Sequence, residues 1–204
     1  VGMLQLQSNQ TVYIDAGAIV YATIHAKYVQ NIRILGRGIL DNSKNVEKIL
    51  FEVEQPGTGH VAVKNSVREH TIRLENVRNA EIDGITIRDS LVYNISTFGC
   101  EEVLVNNVKI IGCWRYNTDG IDLHNSSHCV VRNCFVRTYD DSICVKGHVG
   151  YPQVCEDILV ENCTIWNDWG CALEIGAETC AEQIRNITFR NCDIIRNTGV
   201  ALDV

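Results

Sequence analysis

No run of about 18 apolar residues occurs in the 204-residue chain, so no segment reads as a membrane-crossing helix. The N-terminus shows no basic segment followed by an apolar stretch and a cleavage site, a pattern that removal of a signal peptide would also leave. Basic residues are scattered, with 18 Lys and Arg against 25 Asp and Glu for a net charge of −7. The electrostatic footprint of a nucleic-acid binder is therefore missing, and polyanionic partners are disfavoured unless a local site is basic. The ten cysteines contain no Cys-x-x-Cys pair, which removes the usual zinc signature. Segments of about 10–15 residues with helical spacing are absent too, and this excludes an alternating βα fold.

What is present is a composition of 46% apolar and 21% charged residues, ordinary for a folded protein, with a surplus of 10 Cys and 18 Asn. The surplus is positional. Short β-branched runs recur as Ile82–Ile87, Val105–Ile110, Val131–Val136, Val160–Ile165 and Phe189–Ile194. Their third positions, Gly84, Asn107, Asn133, Asn162 and Asn191, are separated by 23, 26, 29 and 29 residues. A second strand pattern sits between successive runs in Asp119–Leu123, Asp141–Val145 and Cys171–Ile175, and follows the last run in Val200–Val204. Its apolar third and fifth positions alternate with the others, so one set faces a core and the other faces out.

Repeats of this length, with two or three short strands and no helix, predict an all-β fold, a right-handed parallel β-helix whose coils stack about 4.8 Å apart. Asn tolerates the left-handed backbone of a sharp corner, and the expectation is a buried ladder of stacked amides through Asn107, Asn133, Asn162 and Asn191. Cys134, Cys163 and Cys192 follow one residue later, where a small side chain suits a narrow core. A single domain is expected over residues 1–204, with related but less regular strands in the first 70 residues. Residues 42–65, with Pro56-Gly57-Thr58-Gly59, read as a loop inserted between coils. Because Val204 falls inside an apolar strand, the chain is expected to be a fragment, incomplete at its C-terminus.

If Ile121, Ile143, Leu173 and Leu202 stack inward, Asp119 and Asp141 fall on neighbouring coils with Asp140 beside them. Such crowding raises carboxyl pKa values, the property a general acid needs. Glycoside hydrolysis uses one protonated and one ionised carboxyl group, which makes Asp119, Asp140 and Asp141 the catalytic candidates. Asp122, Cys144, Glu174 and Asp203 form the next outward column. Asp122 is expected to accept a substrate hydroxyl, and Lys146 either contacts an anionic sugar or pairs with the carboxylates. Glu174 adds negative charge where such a sugar would be repelled. Trp166 and Trp169 border the same coil and either stack on sugar or fill the gap between loop and helix. Calcium is the competing use of clustered carboxylates.

The run Asn117-Thr118-Asp119-Gly120-Ile121-Asp122, followed by Tyr139-Asp140-Asp141-Ser142-Ile143, resembles the catalytic region of the polygalacturonase family of glycoside hydrolases, family 28. The segments Ser8–Tyr13 and Gly36–Asp41 resemble the entry to that family's helix, and dextranase family 49 shares the three-Asp arrangement. The resemblance implies that Asp140 protonates the leaving oxygen while Asp119 and Asp141 activate water, with inversion. It also implies a departure, since Cys171 stands where the family has a His; His148 is then a candidate replacement. The function expected is hydrolysis of a pectic or related polysaccharide, without cofactor or metal, by a secreted, extracellular or periplasmic protein. The partner is a poly- or oligosaccharide, with neither nucleic acid nor membrane. The alternatives are a calcium-dependent polysaccharide lyase and a non-catalytic carbohydrate-binding β-helix.

Overall fold

The structure is a computed structural model that describes residues 2–54, 57 and 61–204. Three parallel sheets of eight, seven and seven strands run the length of the molecule, and each coil visits them in the same order. The first sheet contains Ala22–Lys27, Ile72–Glu75, Ile95–Phe98, Ile121–His124, Ile143–Gly147 and Leu173–Thr179. The second contains Gln30–Gly36, Arg78–Asp83, Glu101–Asn106, Ser127–Arg132, Cys155–Glu161 and Ile184–Arg190. The third contains Ile39–Asp41, Thr86–Arg88, Lys109–Ile111, Phe135–Thr138, Thr164–Asn167 and Asp193–Arg196. No helix interrupts the coils among the described residues, and parallel strands joined this way are right-handed, so the chain is a right-handed parallel β-helix.

The register follows the repeat. Ile121 pairs with Ile143, Ile143 with Leu173, and Leu173 with Leu202. Inward columns of this kind line all three sheets: Ile24, Ile72, Ile95 and Ile121 in the first, Ile34, Ile82, Val105 and Val131 in the second, Leu40, Ile87, Ile110 and Val136 in the third. All are essentially inaccessible. Each such side chain contributes about 1.5–3 kcal/mol, and aliphatic residues of similar size stack from coil to coil.

Cys134 and Cys163 are buried as the repeat predicts, while Cys192 is partly exposed; all ten cysteines are free thiols. The amide ladder differs from expectation. Asn107, Asn133, Asn162 and Asn191 do adopt the left-handed conformation, with φ of 52–56°. Yet Asn133, Asn162 and Asn191 are exposed, and Asn133 donates to Asn106 of the preceding coil at 2.9 Å. A coil-to-coil amide ladder instead runs through Asn9, Asn31 and Asn79, at 2.9 and 2.8 Å. It lies on a second left-handed column at the start of the second sheet's strands, which continues through Glu102, His128, Asp157 and Asn186. Corners point their side chains away from a convex surface, so the conformation of Asn is used there without burying its amide.

Between Asp41 and Ile72 the chain leaves the coils, and Lys48–Glu54 pairs antiparallel with Val61–Val67 in a separate two-stranded sheet. Of the Pro56-Gly57-Thr58-Gly59 turn, Pro56, Thr58 and Gly59 lie outside the described residues.

Candidate active site

The carboxylates sit in the turns that lead from the third sheet into the first. Two glycines let these turns approach. A β-carbon on Gly120 would lie 2.2 Å from the Ser142 carbonyl oxygen, and one on Gly170 would lie 2.6 Å from Asp141 Oδ1. Backbone bonds from Gly120 N to the Asp141 carbonyl and from Ile121 N to the Ser142 carbonyl, at 2.8 and 2.9 Å, then fix Asp119 one coil from Asp141. The Asp140-Asp141 turn is held from within. Thr138 Oγ1 donates to the Asp140 carbonyl at 2.7 Å, and the buried Asn167 amide donates to the same oxygen at 2.6 Å and to the Cys171 carbonyl at 3.1 Å.

Lys146 organises the charges. Its Nζ lies 3.1 Å from Asp119 Oδ2, 3.1 Å from Asp122 Oδ1, 3.4 Å from Asp141 Oδ2 and 3.9 Å from Glu178 Oε2. Burial works against the ammonium, but the surrounding carboxylates raise its pKa well above that of a free lysine. The shared ammonium keeps the Asp119 and Asp141 oxygens within two ion-pair lengths of each other. Asp140 is 7% exposed, and its Oδ2 and Oδ1 accept from the backbone N–H groups of Asn117 and Asp141, both at 3.1 Å.

Asp119, Asp122, Asp140 and Glu174 hold protons more tightly than usual. Burial, then the charge of Asp141, raises the Asp140 pKa. Burial, then the charge of Asp122, raises Asp119. Burial also pushes Asp122 up to about 6, and burial with the charge of Asp141 pushes Glu174 up to about 7. One lysine cannot neutralise so many buried carboxylates, so Asp119, Asp122 and Glu174 retain protons toward neutrality. Asp141 is the most exposed carboxylate of the three catalytic candidates.

Asp122 is inaccessible, and its carboxylate pairs with Lys146 instead of facing a substrate hydroxyl. Lys146 is itself 2% exposed, so the pairing reading describes it and the sugar-contact reading does not. Glu174 is 4% exposed beside the Cys144 thiol, at 3.5 Å, and presents little charge to the surface. Cys171 contributes its backbone N–H, which donates to Asp141 Oδ1 at 2.9 Å. Burial pushes its thiol up to about 11. His148 is exposed on the far rim of a neighbouring cavity. Asp141, Cys144 and Glu174, and separately Cys171, Glu174 and Asp203, bring ligand atoms within 4.8 Å of one another. With thiols in both sets, these donors suit a soft cation better than calcium.

That cavity has a volume of about 340 Å³, and the sequence pattern does not point to it. It opens over the first sheet beside Tyr93 and Asn117 and is floored by Phe98 and His124, whose rings stack 4.3 Å apart at 11°. Arg68 supplies positive charge, Arg73 is paired with Glu75 at 2.6 Å, Glu178 adds a carboxylate, and burial keeps His70 and His124 neutral. The period-two rule carried two residues beyond Asp122 and Cys144 would have placed His124 and Lys146 on this face, since Phe98, His124 and Lys146 share one column.

Fold and site together define a parallel β-helix with a buried acid–base cluster at the edge of an open groove. Residues 3–202 match the profile of Glycosyl hydrolases family 28, and the chain belongs to that family. It is 24% identical over 184 residues to a polygalacturonase of Gossypium barbadense, covering 85% of this chain and 40% of the relative. It is 23% identical over 207 residues to a dextranase of Arthrobacter sp. (strain CB-8), covering 95% and 30%. Among solved structures it superposes on a family 28 exopolygalacturonase of Yersinia enterocolitica with a TM-score of 0.76 at 20% identity, covering 99% of this chain and 47% of that one. An exopolygalacturonase of Thermotoga maritima gives 0.74 at 19%, covering 94% and 55%. The chain thus spans less than half the length of these two curated relatives.

Proposed function

We propose that this chain carries the catalytic centre of a hydrolase that cleaves glycosidic bonds in a pectic polysaccharide with inversion. The observation that carries the reading is the meeting of Asp119 and Asp141 on the Lys146 ammonium, with Asp140 anchored beside them. Asp140, its pKa raised by burial and by Asp141, is the acid that protonates the leaving oxygen. Asp141, with Asp119 behind it, orients a water and takes its proton as that water attacks the anomeric carbon from the opposite face. Lys146 Nζ, 3.1 Å from Asp119 Oδ2 and 3.4 Å from Asp141 Oδ2, is the positive charge that this pair shares.

The pectic assignment is supported by relatives described as polygalacturonases and by Arg68 in the adjoining cavity. Burial of Glu174 removes the repulsion that a surface carboxylate would exert on an acidic sugar. A calcium-dependent lyase fits less well, because Lys146 Nζ already supplies the positive charge on which Asp119, Asp122 and Asp141 converge. A polymeric substrate places the protein outside the cytoplasm in this reading.

The test is reducing-end release by the full-length protein on homogalacturonan, rhamnogalacturonan and an α-glucan, with the product anomer followed by NMR. Release from a pectic polymer with inverted configuration is expected. A retained configuration, or an unsaturated ultraviolet-absorbing product, would sink the mechanism.

A further inference from the structure

The outward column of the first sheet that holds Asp122 continues, in strand register, through Cys144 and Glu174 on the next two coils. Outward residues of a β-helix ordinarily meet water, yet all three of these are buried. Asp141 joins them from the turn that precedes Cys144. Ligand atoms of Asp141, Cys144 and Glu174 all lie within 4.8 Å of one another, and Cys144 Sγ is 3.5 Å from Glu174 Oε2. A tetrahedral cation held about 2.3 Å from sulfur and about 2.0–2.2 Å from oxygen sets two such ligands about 3.5–3.7 Å apart. The thiol and carboxylate therefore already stand at the separation that a shared ion requires. The second triad, Cys171, Glu174 and Asp203, is looser, with 4.0 Å between Cys171 Sγ and Asp203 Oδ2.

A separate observation asks for positive charge on this column. Asp122, one coil before Cys144, is inaccessible, and its Oδ2 has no hydrogen-bond partner among the described residues. A buried carboxylate oxygen without a donor is costly, and Lys146 Nζ is already divided between Asp119, Asp122 Oδ1 and Asp141. Calcium and magnesium take oxygen ligands and would leave the sulfur unused, whereas a thiolate between two carboxylates suits a borderline-soft ion. The Asp141 side chain, 19% exposed, gives that ion a way in. Three protein ligands leave a fourth position for water.

We propose that Asp141, Cys144 and Glu174 bind a thiophilic divalent cation of the zinc class, and that the bound ion stops hydrolysis by occupying Asp141. The site stands on its geometry, while the effect on turnover rests on the reading of Asp141 as part of the base. On binding, the Cys144 sulfur exchanges its proton for the metal and the proton passes to solvent, with no change of oxidation state.

Cadmium is the probe of the site, because its bond to a thiolate absorbs in the ultraviolet, and zinc is the probe of turnover. Full-length protein stripped of metal by a chelator is expected to bind one cadmium per chain, with the absorbance rising in step. Cys144→Ser should abolish the absorbance and weaken binding by at least about tenfold. Glu174→Gln should weaken binding to a similar degree, and serves alone if Cys144→Ser does not fold. Cys171→Ser, and Cys163→Ser in the separate buried thiol column, should alter neither quantity. A parent without the thiolate absorbance, binding unchanged in Glu174→Gln or Cys144→Ser, or binding lost in Cys171→Ser would overturn the site. Zinc should inhibit reducing-end release reversibly, and Glu174→Gln, compared with its own metal-free rate, should need at least about tenfold more of it. Full turnover by the parent with zinc bound would overturn the inhibition. The reading of Asp141 fails separately and without metal: undiminished turnover by metal-free Asp141→Asn would refute it.

Discussion

Lys146 and Asp122 form an ion pair, 3.1 Å from Nζ to Oδ1, in which neither side chain is more than 3% exposed. Pairs this deep are costly to assemble and costlier to break, because the orphaned partner keeps its charge in a poorly solvating place. Here more than one partner would be orphaned, since Asp119, Asp141 and the exposed Glu178 share the ammonium with Asp122. Lys146→Met is expected to destabilise the fold by about 3–5 kcal/mol at neutral pH. The loss should shrink on acidification, as the abandoned carboxylates take up protons. Urea denaturation at two pH values checks both, and a pH-independent loss would argue against the electrostatic origin.

The same cluster sets an unusual pH dependence of stability. Asp119, Asp122 and Glu174 titrate above their ordinary carboxyl values, Asp122 near 6 and Glu174 near 7. Between the unfolded and folded values the native state binds more protons than the unfolded chain, so stability rises as pH falls from about 9, where Asp119 begins to take up its proton, toward about 4. Asp41, Glu75 and Asp83 act in the opposite sense. Against the effect of burial, their hydrogen-bonding and cationic partners hold them below the usual range, and their contribution is lost as pH falls through the acid range. A maximum on the acid side of neutrality is expected. Glu174→Gln should flatten the approach to it, measured as denaturation midpoints from pH 5 to 8.

The coil period and the register of the first sheet were legible because stacking repeats one chemical requirement at each coil: Ile95, Ile121, Ile143 and Leu173 answer the same inward position. The neighbourhood of Asp119 and Asp141 followed from that register. Period two reports which face a residue takes, but not whether turns from the next sheet cover that face. Asp122 and Lys146 are outward residues that end up buried, which their own strands do not announce. The left-handed column through Glu102 and His128 was hidden for a related reason, since neither residue type signals that backbone and the strand alternation continues past them. The cavity depends on Arg68, Phe98, His124 and Tyr151, drawn from segments far apart in sequence, and no local pattern encodes their convergence.

Asn167 is expected to be a positioning residue. Its buried amide donates to the carbonyls of Asp140 and Cys171 and to Ser142 Oγ, at 2.6, 3.1 and 3.1 Å, and accepts from Trp169 N at 3.1 Å. Asn167→Ala leaves buried polar groups without partners at a cost of about 1–3 kcal/mol. Because the Asp140 turn loosens while the surfaces that bind sugar remain, kcat should fall by about tenfold or more with KM changed less. An unaltered kcat in a destabilised variant would restrict Asn167 to a structural role.

Gly170 provides the sharpest geometric test. An added β-carbon would stand 2.6 Å from Asp141 Oδ1, 2.7 Å from Asp141 N and 2.8 Å from the Asp140 carbonyl carbon. Two of these three atoms belong to backbone and cannot swing away, so the Asp140-Asp141 turn itself must shift. Gly170→Ala is expected to cost about 1–3 kcal/mol as an overpacked site. A displacement approaching 1 Å at the acid and base should lower kcat/KM by about a hundredfold. Gly2→Ala, whose added carbon meets nothing within 4 Å, is the matched control and should leave both quantities unchanged. Full activity in Gly170→Ala would mean that the turn yields without moving the carboxyl groups, and the catalytic geometry would then not depend on the close contact between these coils.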